Sequence, residues 1–211
     1  MIQEIDRALR GLLDRDASLP DDVAVVFDAP TKDWAAKRSV PTLDLYLYDI
    51  RRDLERDTAG MAEIRDDDGR LLARRPQPRY FKLSYLVTAW TQRPEDEHHL
   101  LSETLVALLR HDRIPPDLLD GPLAELGLVA PVTIALPPPE DRSISDVWTA
   151  LGGELKPSLD LVVSTPLEAG QPEQAGPPTE RAVLRAANRA DGSAPPDVRP
   201  SDWPPDARVP A

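Results

Sequence analysis

Twenty-four prolines interrupt this 211-residue chain, about twice the usual share, and they limit where regular structure can run. A proline ends a helix and is barred from a central strand, so every long element must fit between stops. Ile2 to Arg15 sets Ile2, Ile5, Leu9, Leu12 and Leu13 at helical spacing, which predicts an amphipathic helix stopped by Ser18 and Pro20. Thr42 to Arg52 (TLDLYLYDIRR) alternates, with Leu43, Leu45 and Leu47 on one face and Asp44, Tyr46 and Tyr48 on the other, which predicts a strand with a core face and an aromatic second face. Tyr80 to Thr91 (YFKLSYLVTAWT) has apolar residues on both faces and is expected in the middle of a sheet. Pro94 to Arg110 reads as a helix. Its first turn holds Glu95, Asp96 and Glu97 at the positive end of the dipole, and its expected buried stripe is Leu100, Leu101, Leu105, Leu108 and Leu109.

Shorter segments fill the gaps. Val23 to Asp28 is expected as a buried strand, and Pro30 to Pro41 as a loop carrying Trp34, Lys37 and Arg38. Asp66-Asp67-Asp68-Gly69 between MAEIR and RLLAR signals a hairpin, because Asp-Gly suits positive φ. Pro116 to Leu119 reads as one helical turn stopped by Gly121, Val132 to Leu136 as a strand, and Pro137 to Pro139 as a break. Ser143 or Ser145 caps a short helix with Val147, Trp148 and Leu151, closed by Gly152-Gly153, and Leu159 to Thr165 is a last strand. The expected fold is α+β, a single mixed β-sheet with helices packed on it.

Composition shifts after residue 167. From Glu168 to Ala211 there are nine Pro and no Ile or Phe, too little apolar surface to offset chain entropy. The expectation is a folded domain at 1–167 and a flexible Pro/Ala-rich extension at 168–211, with a transient helix at 180–190. The net charge of −12 argues against a nucleic-acid binder. No Cys is present, so disulfides, thiolate metal sites and thiol nucleophiles are excluded. No apolar stretch approaches the ~18 residues of a membrane span, and MIQEIDRALRGLLDRD does not read as a signal peptide, so a soluble, cytoplasmic product is expected.

Chemistry-bearing patterns are few. Asp96-Glu97-His98-His99 is the most enzyme-like, and a metal would use His99 and Glu103 on one helical face. Adjacent helix residues point about 100° apart, however, so the run cannot converge on one ion. Asp66, Asp68 and Gly69 resemble part of a calcium loop, but Ile64 and Arg75 then stand at its first and twelfth positions, where carboxylates belong. Arg70, Arg74, Arg75, Arg79 and Lys82 form the densest basic run. It reads either as a docking surface for an acidic protein or as a solvated edge guarded against strand pairing. Tyr46, Tyr48, Tyr80, Tyr85, Trp90 and Trp148 are core packing or interface anchors. No phosphate loop, nucleophile elbow or dinucleotide fingerprint occurs, so no catalytic, cofactor or metal residue is assigned.

Several longer stretches carry a resemblance: Pro41-Thr42-Leu43 with LYLYDIRR, Arg75-Pro76-Gln77-Pro78-Arg79-Tyr80 leading into LSYLVTAW, DEHHLL, and WTALGGELKPSLDLVVSTPL. In this order, from Met1 to about Leu167, the chain resembles the N-terminal domain of the tail-terminator, or cap, proteins of extracellular contractile injection systems. These are phage-tail-like particles of the antifeeding prophage and Photorhabdus virulence cassette type. One departure is Asp44, where the family pattern has Asn or another polar residue, on a face read here as exposed. The resemblance implies a non-enzymatic subunit without cofactor that assembles as a six-fold ring, ends growth of the inner tube and holds the last sheath ring. It implies assembly in the cytoplasm within a particle that is released. Its partners would be itself, the tube and the sheath, with no nucleic acid and no membrane insertion.

A ring needs two different complementary patches, and Arg74, Arg75 and Arg79, with Tyr46 and Tyr48 nearby, are the expected contact residues. The other readings are an adaptor or baseplate protein of the same kind of particle, and a small metal-dependent enzyme centred on the 96–103 helix.

Overall fold

The computed structural model describes residues 1–137, 143–168, 170–171 and 173–176. The expected helix at 180–190, most of the extension and the end of the 137–139 break lie outside the described residues. The chain divides into two compact units: Met1–Met61 with Pro76–Gln171, and Ala62–Arg75 with the residues from 172 onward.

The first unit is built on a five-stranded mixed sheet. Its strands are Ala24–Val26 (β1), Thr42–Arg52 (β2), Arg79–Trp90 (β5), Val132–Ile134 (β6) and Ser158–Leu167 (β7), in the order β1-β2-β5-β7-β6. β1 runs parallel to β2 and the other pairs are antiparallel. β5 is central, as its two apolar faces predict. The core face carries Leu43, Leu45, Leu83, Tyr85, Val87, Leu161 and Val163, all buried.

Two long helices close that face. Ile2–Asp16 (α1) lays down Ile5, Leu9, Leu12 and Leu13, each fully buried, and Pro94–Leu109 (α3) adds Leu108 to the same cluster. Tyr85 sits inside this core, and its hydroxyl donates to Asp6 Oδ1 on α1 at 2.8 Å. Burial raises the Asp6 carboxyl and pushes the Tyr85 phenol up as well, so the pair is a fixed strut between helix and sheet.

Some expectations are corrected. The segment expected as a buried strand shrinks to β1, which is half-buried because it forms the sheet edge. The 30–41 loop contains a five-residue helix, Lys32–Ala36 (α2), capped where Thr31 accepts from Trp34 N–H at 3.3 Å. On α3 the buried stripe is Leu100, Leu101, Thr104, Ala107 and Leu108; Leu109 is 64% exposed, because the stripe turns away from it by one residue. The single turn expected at 116–119 forms at Pro116–Leu118 and ends before Gly121, which then opens a further, unexpected helix, Gly121–Leu126 (α4), closed by Gly127 at φ +58. Ile144–Ala150 (α5) forms where expected and turns out through Gly152 at φ +69, but Ser143 at its N-cap makes no capping bond, its hydroxyl pairing with that of Ser145 instead.

The second unit carries the expected hairpin. Met61–Arg65 (β3) and Leu71–Pro76 (β4) flank a turn in which Gly69 N–H donates to Asp66 O and Asp66 Oδ1 accepts from Arg70 N–H at 2.7 Å. Gly69 has φ +78, which an L side chain resists. Glu173–Gln174 (β8), in the stretch read as an extension, adds a third strand against β4.

Candidate functional site

The second face of the five-stranded sheet collects the polar and aromatic chemistry. β2 contributes Asp44 and Tyr46; β5 contributes Lys82, Ser84, Leu86, Thr88 and Trp90; β7 contributes Asp160, Val162 and Ser164. A bulge between Leu47 and Asp49 leaves Tyr48 as the extra residue. Its hydroxyl reaches over β5 to donate to Asp160 Oδ1 at 2.8 Å. Tyr46 and Tyr48 are thus half-buried face residues, and Tyr48 is already committed to the sheet.

Asp44 corrects the sequence reading most sharply. It is fully buried, not exposed. Its Oδ1 accepts from Asp28 N–H at 3.1 Å, while Oδ2 meets no hydrogen-bond donor among the described residues. Burial, reinforced by the neighbouring Asp28 carboxylate, pushes the Asp44 carboxyl up to about 8. Asp28 is itself engaged: its Oδ2 accepts from Trp34 Nε1 at 2.8 Å and pairs with Arg38 at 3.1 Å. The alternation of Thr42–Arg52 showed that Asp44 faces away from the leucines, but not that Asp28 would be brought against it.

From there an aromatic and cationic stack runs across the end of the sheet. Arg38 lies 4.2 Å over Trp34, Trp34 meets Trp90 edge-on at 5.4 Å, and Trp90 is tilted against Trp148 of α5 at 6.3 Å. Lys156 lies 4.0 Å over Trp90 and donates to Glu97 at 2.6 Å and to Ala89 O at 3.0 Å. In the acidic run at the start of α3, Glu97 therefore ties α3 to the start of β7, while Glu95 pairs with Arg93 at 3.8 Å. His98 and His99 are exposed. Among the described residues, no three His, Asp or Glu side chains gather as a metal-ligand set. No sequence signal pointed to this stack, because its members come from four separate segments.

At the opposite end of the sheet Asp53 is buried. It accepts from Ser164 Oγ at 2.6 Å and has Lys82 and Arg56 each at 3.6 Å, and its N–H donates to Tyr80 O. Lys82, counted in the basic run, thus balances Asp53 and also pairs with Glu55 at 3.4 Å. Arg79 begins β5, seven positions from the Leu86 that faces Tyr46, or about 23 Å along a strand. The structure does not bring Arg79 and Tyr46 together. Arg74 lies on β4 in the second unit, exposed, with Glu63 at 3.6 Å, and Arg75 follows it half-buried.

A groove of about 510 Å3 opens where β5 ends and β1 and β2 begin. Its apolar lining includes Val23, Val40, Pro41, Trp90 and Leu100, with Arg38 and Arg93 among the charged residues.

The sequence that builds this sheet, its two packed helices and the tryptophan stack matches a known family. Residues 4–181 match the Pvc16 N-terminal domain. The chain belongs to the Pvc16 N-terminal domain family. The match takes in the whole five-stranded sheet, the hairpin and β8. Two solved structures share the fold of this Pvc16 N-terminal domain. One is the PVC sheath/tube terminator of an extracellular contractile injection system in its extended state, with TM-score 0.66, 24% identity, and coverage of 90% of this chain and 65% of that one. The other is the tube-terminating cap of the anti-feeding prophage, with TM-score 0.60, 22% identity, and coverage of 86% and 60%. The chain therefore spans less than two thirds of the length of either structure. No curated protein matches the sequence. Among the described residues, no helix is long and apolar enough to cross a membrane.

Proposed function

We propose that this Pvc16 N-terminal domain is a structural cap subunit of a contractile injection particle. It ends inner-tube growth and holds the last sheath ring. The observation that carries the reading is the likeness of fold over 90% of the chain to a protein described as a sheath/tube terminator, within a chain whose family is fixed by its sequence. The reading makes the protein non-enzymatic and cofactor-free, with tube, sheath and its own copies as partners. Its terminator-like body is 1–167, extended by 168–211. It assembles in the cytoplasm and leaves the cell with the particle.

The direct test is tube length. Particles made without this protein will carry inner tubes of broad length distribution by electron microscopy, and restoring it will narrow the distribution again. Unchanged tube lengths would falsify the cap reading.

Copies in such a cap close a six-fold ring by heterologous contact, and Arg74, Arg75 and Arg79, with Tyr46 and Tyr48, form part of that contact. An acidic chain with net charge −12 offers many carboxylates for these guanidinium groups to meet. The double reversal Arg75→Glu and Arg79→Glu will raise the concentration of half-assembly by about tenfold or more, equivalent to about 1.4 kcal/mol. Light scattering across a dilution series reads this, and an unchanged profile removes these residues from the contact.

A further inference from the structure

Asp28 has two partners on opposite sides. Its N–H donates to Asp44 Oδ1 at 3.1 Å, while its own Oδ2 accepts from Trp34 Nε1 at 2.8 Å and pairs with Arg38 at 3.1 Å. Trp34 lies within α2 and Arg38 just beyond it, with the guanidinium 4.2 Å over the indole. One residue therefore clasps α2, and that residue touches Asp44.

The charge state of Asp44 decides whether this clasp is comfortable. Asp44 is fully buried and its Oδ2 meets no donor among the described residues, so an ionised carboxylate there would have neither water nor a hydrogen bond on that oxygen. β1 sets uncharged Val26 beside it, and β5 sets Thr88 opposite it, with Leu86 and Trp90 on the same face. Past Trp90, Lys156 and Glu97 pair with each other at 2.6 Å, and on β7 Asp160 is held by the Tyr48 hydroxyl. The charges that act on Asp44 are the Asp28 carboxylate and the Arg38 guanidinium. Once Asp44 ionises, one cation stands against two carboxylates. The proton is kept up to about pH 8, so at neutral pH the clasp is shut.

Above that pH the repulsion finds its relief in the least anchored neighbour. Val26 and Thr88 are fixed by their strand pairing. Asp28 lies past the end of β1, and α2 has five residues, none of them buried. A helix that short does not persist without its contacts.

We propose that Asp44 is the trigger of an alkaline latch: its ionisation drives off the Asp28 carboxylate, and the segment from Asp28 to Arg38 leaves the sheet while the rest of the first unit stays folded. Ala35 and Arg38 line the groove beside Trp90, and Trp34 meets Trp90 edge-on. Release therefore strips the groove of part of its wall, giving this end of the sheet one surface at neutral pH and another in alkaline medium.

Limited trypsin digestion of the full chain reads the latch, because Lys37 and Arg38 lie at the end of the released segment and Arg7 and Arg10 lie on α1. Rates at each site are divided by the rate on a small peptide substrate at the same pH. One proton is lost per opening, so the open fraction rises about tenfold per pH unit once the folded carboxyl titrates. Cleavage after Lys37 and Arg38 in the wild type will rise by about tenfold or more from pH 7 to pH 9, and cleavage after Arg7 and Arg10 by less than about twofold. In Asp44→Asn both will stay level. If the α1 sites accelerate in step with Lys37 and Arg38, the whole domain is loosening and there is no latch. If no site accelerates in the wild type, or Asp44→Asn accelerates as the wild type does, Asp44 is not a trigger. The wild-type comparison of the two segments decides alone where the variant does not fold.

Discussion

Asp44→Asn will remove most of the pH dependence of stability between pH 5 and 9 and will leave the protein more stable at the alkaline end. The folded carboxyl keeps its proton up to about pH 8, whereas in the unfolded chain it releases it near the ordinary value of 3.8. Between those limits the folded state holds the extra proton. The stabilisation tied to that proton is complete below about pH 4 and is lost as pH rises through about 8. Each tenfold difference in proton affinity between the folded and unfolded chain is worth about 1.4 kcal/mol, so the full span is about 6 kcal/mol at most.

Asn keeps the oxygen that accepts from Asp28 N–H and carries no charge beside the Asp28 carboxylate. Chemical denaturation of both proteins at pH 5, 7 and 9 checks this: the wild-type curve should fall with pH and the variant curve should stay nearly level. Parallel curves would mean that Asp44 is not the group responsible. Trp34 gives a local readout, because Asp28 accepts its indole N–H and caps the same stack. Its fluorescence should change above pH 8 in the wild type and not in the variant.

Trp148→Ala will release α5 from the sheet. Trp148 is the one buried side chain of that helix, and it is 1% exposed. Seven residues are too few to hold helical structure without tertiary support. Truncating a buried Trp costs about 3–5 kcal/mol. Here the loss falls first on local opening, and amide exchange over 144–151 should accelerate by about a hundredfold or more. Trp148→Phe should retain most of the protection, because the indole Nε1 has no acceptor among the described residues and the ring supplies the packing. Gly153 reinforces the dependence on ring shape: a Cβ there would stand 3.1 Å from Trp148 Cε3. If exchange over 144–151 is the same in Trp148→Ala as in wild type, another contact anchors α5.

The long elements were legible because their periodicity is their reason for existing. Ile5, Leu9 and Leu12 on α1, and the alternation of Thr42–Arg52, follow from burying one face, and each pattern repeats enough to name its period. α2 and α4 were missed because a helix of five or six residues has no period to read; each depends on a cap or a glycine and on what it packs against. Leu109 was misplaced by one residue, since Ala107 and Thr104 take the inner positions and a leucine-weighted reading passes over them.

The site was less legible for a different reason. The burial of Asp44 goes with the 28–38 segment, through Asp28 N–H and the Asp28 carboxylate that holds Trp34 and Arg38, and the Arg38–Trp34–Trp90–Lys156 stack brings together residues more than a hundred positions apart. Sequence spacing carries no signal for such meetings. The family resemblance, by contrast, was carried by contiguous words such as LSYLVTAW and LKPSLDLVVSTPL, which are the central strand and the strand that completes it.

The sheet order has a consequence for synthesis. The central strand β5 pairs with β2, which precedes it, but its other edge waits for β7, about seventy residues later in the chain. β6 is made before β7 and has β7 as its sheet partner. A nascent chain that has emitted everything up to α5 therefore holds a twelve-residue apolar strand with one side unpaired, the kind of edge that recruits another copy of itself. The ten residues of β7 act as a seal, and on a polysome many half-made chains would share the same sticky edge. Slowing translation before β7 has left the ribosome should divert protein into aggregates, while a pause once it has emerged should be harmless.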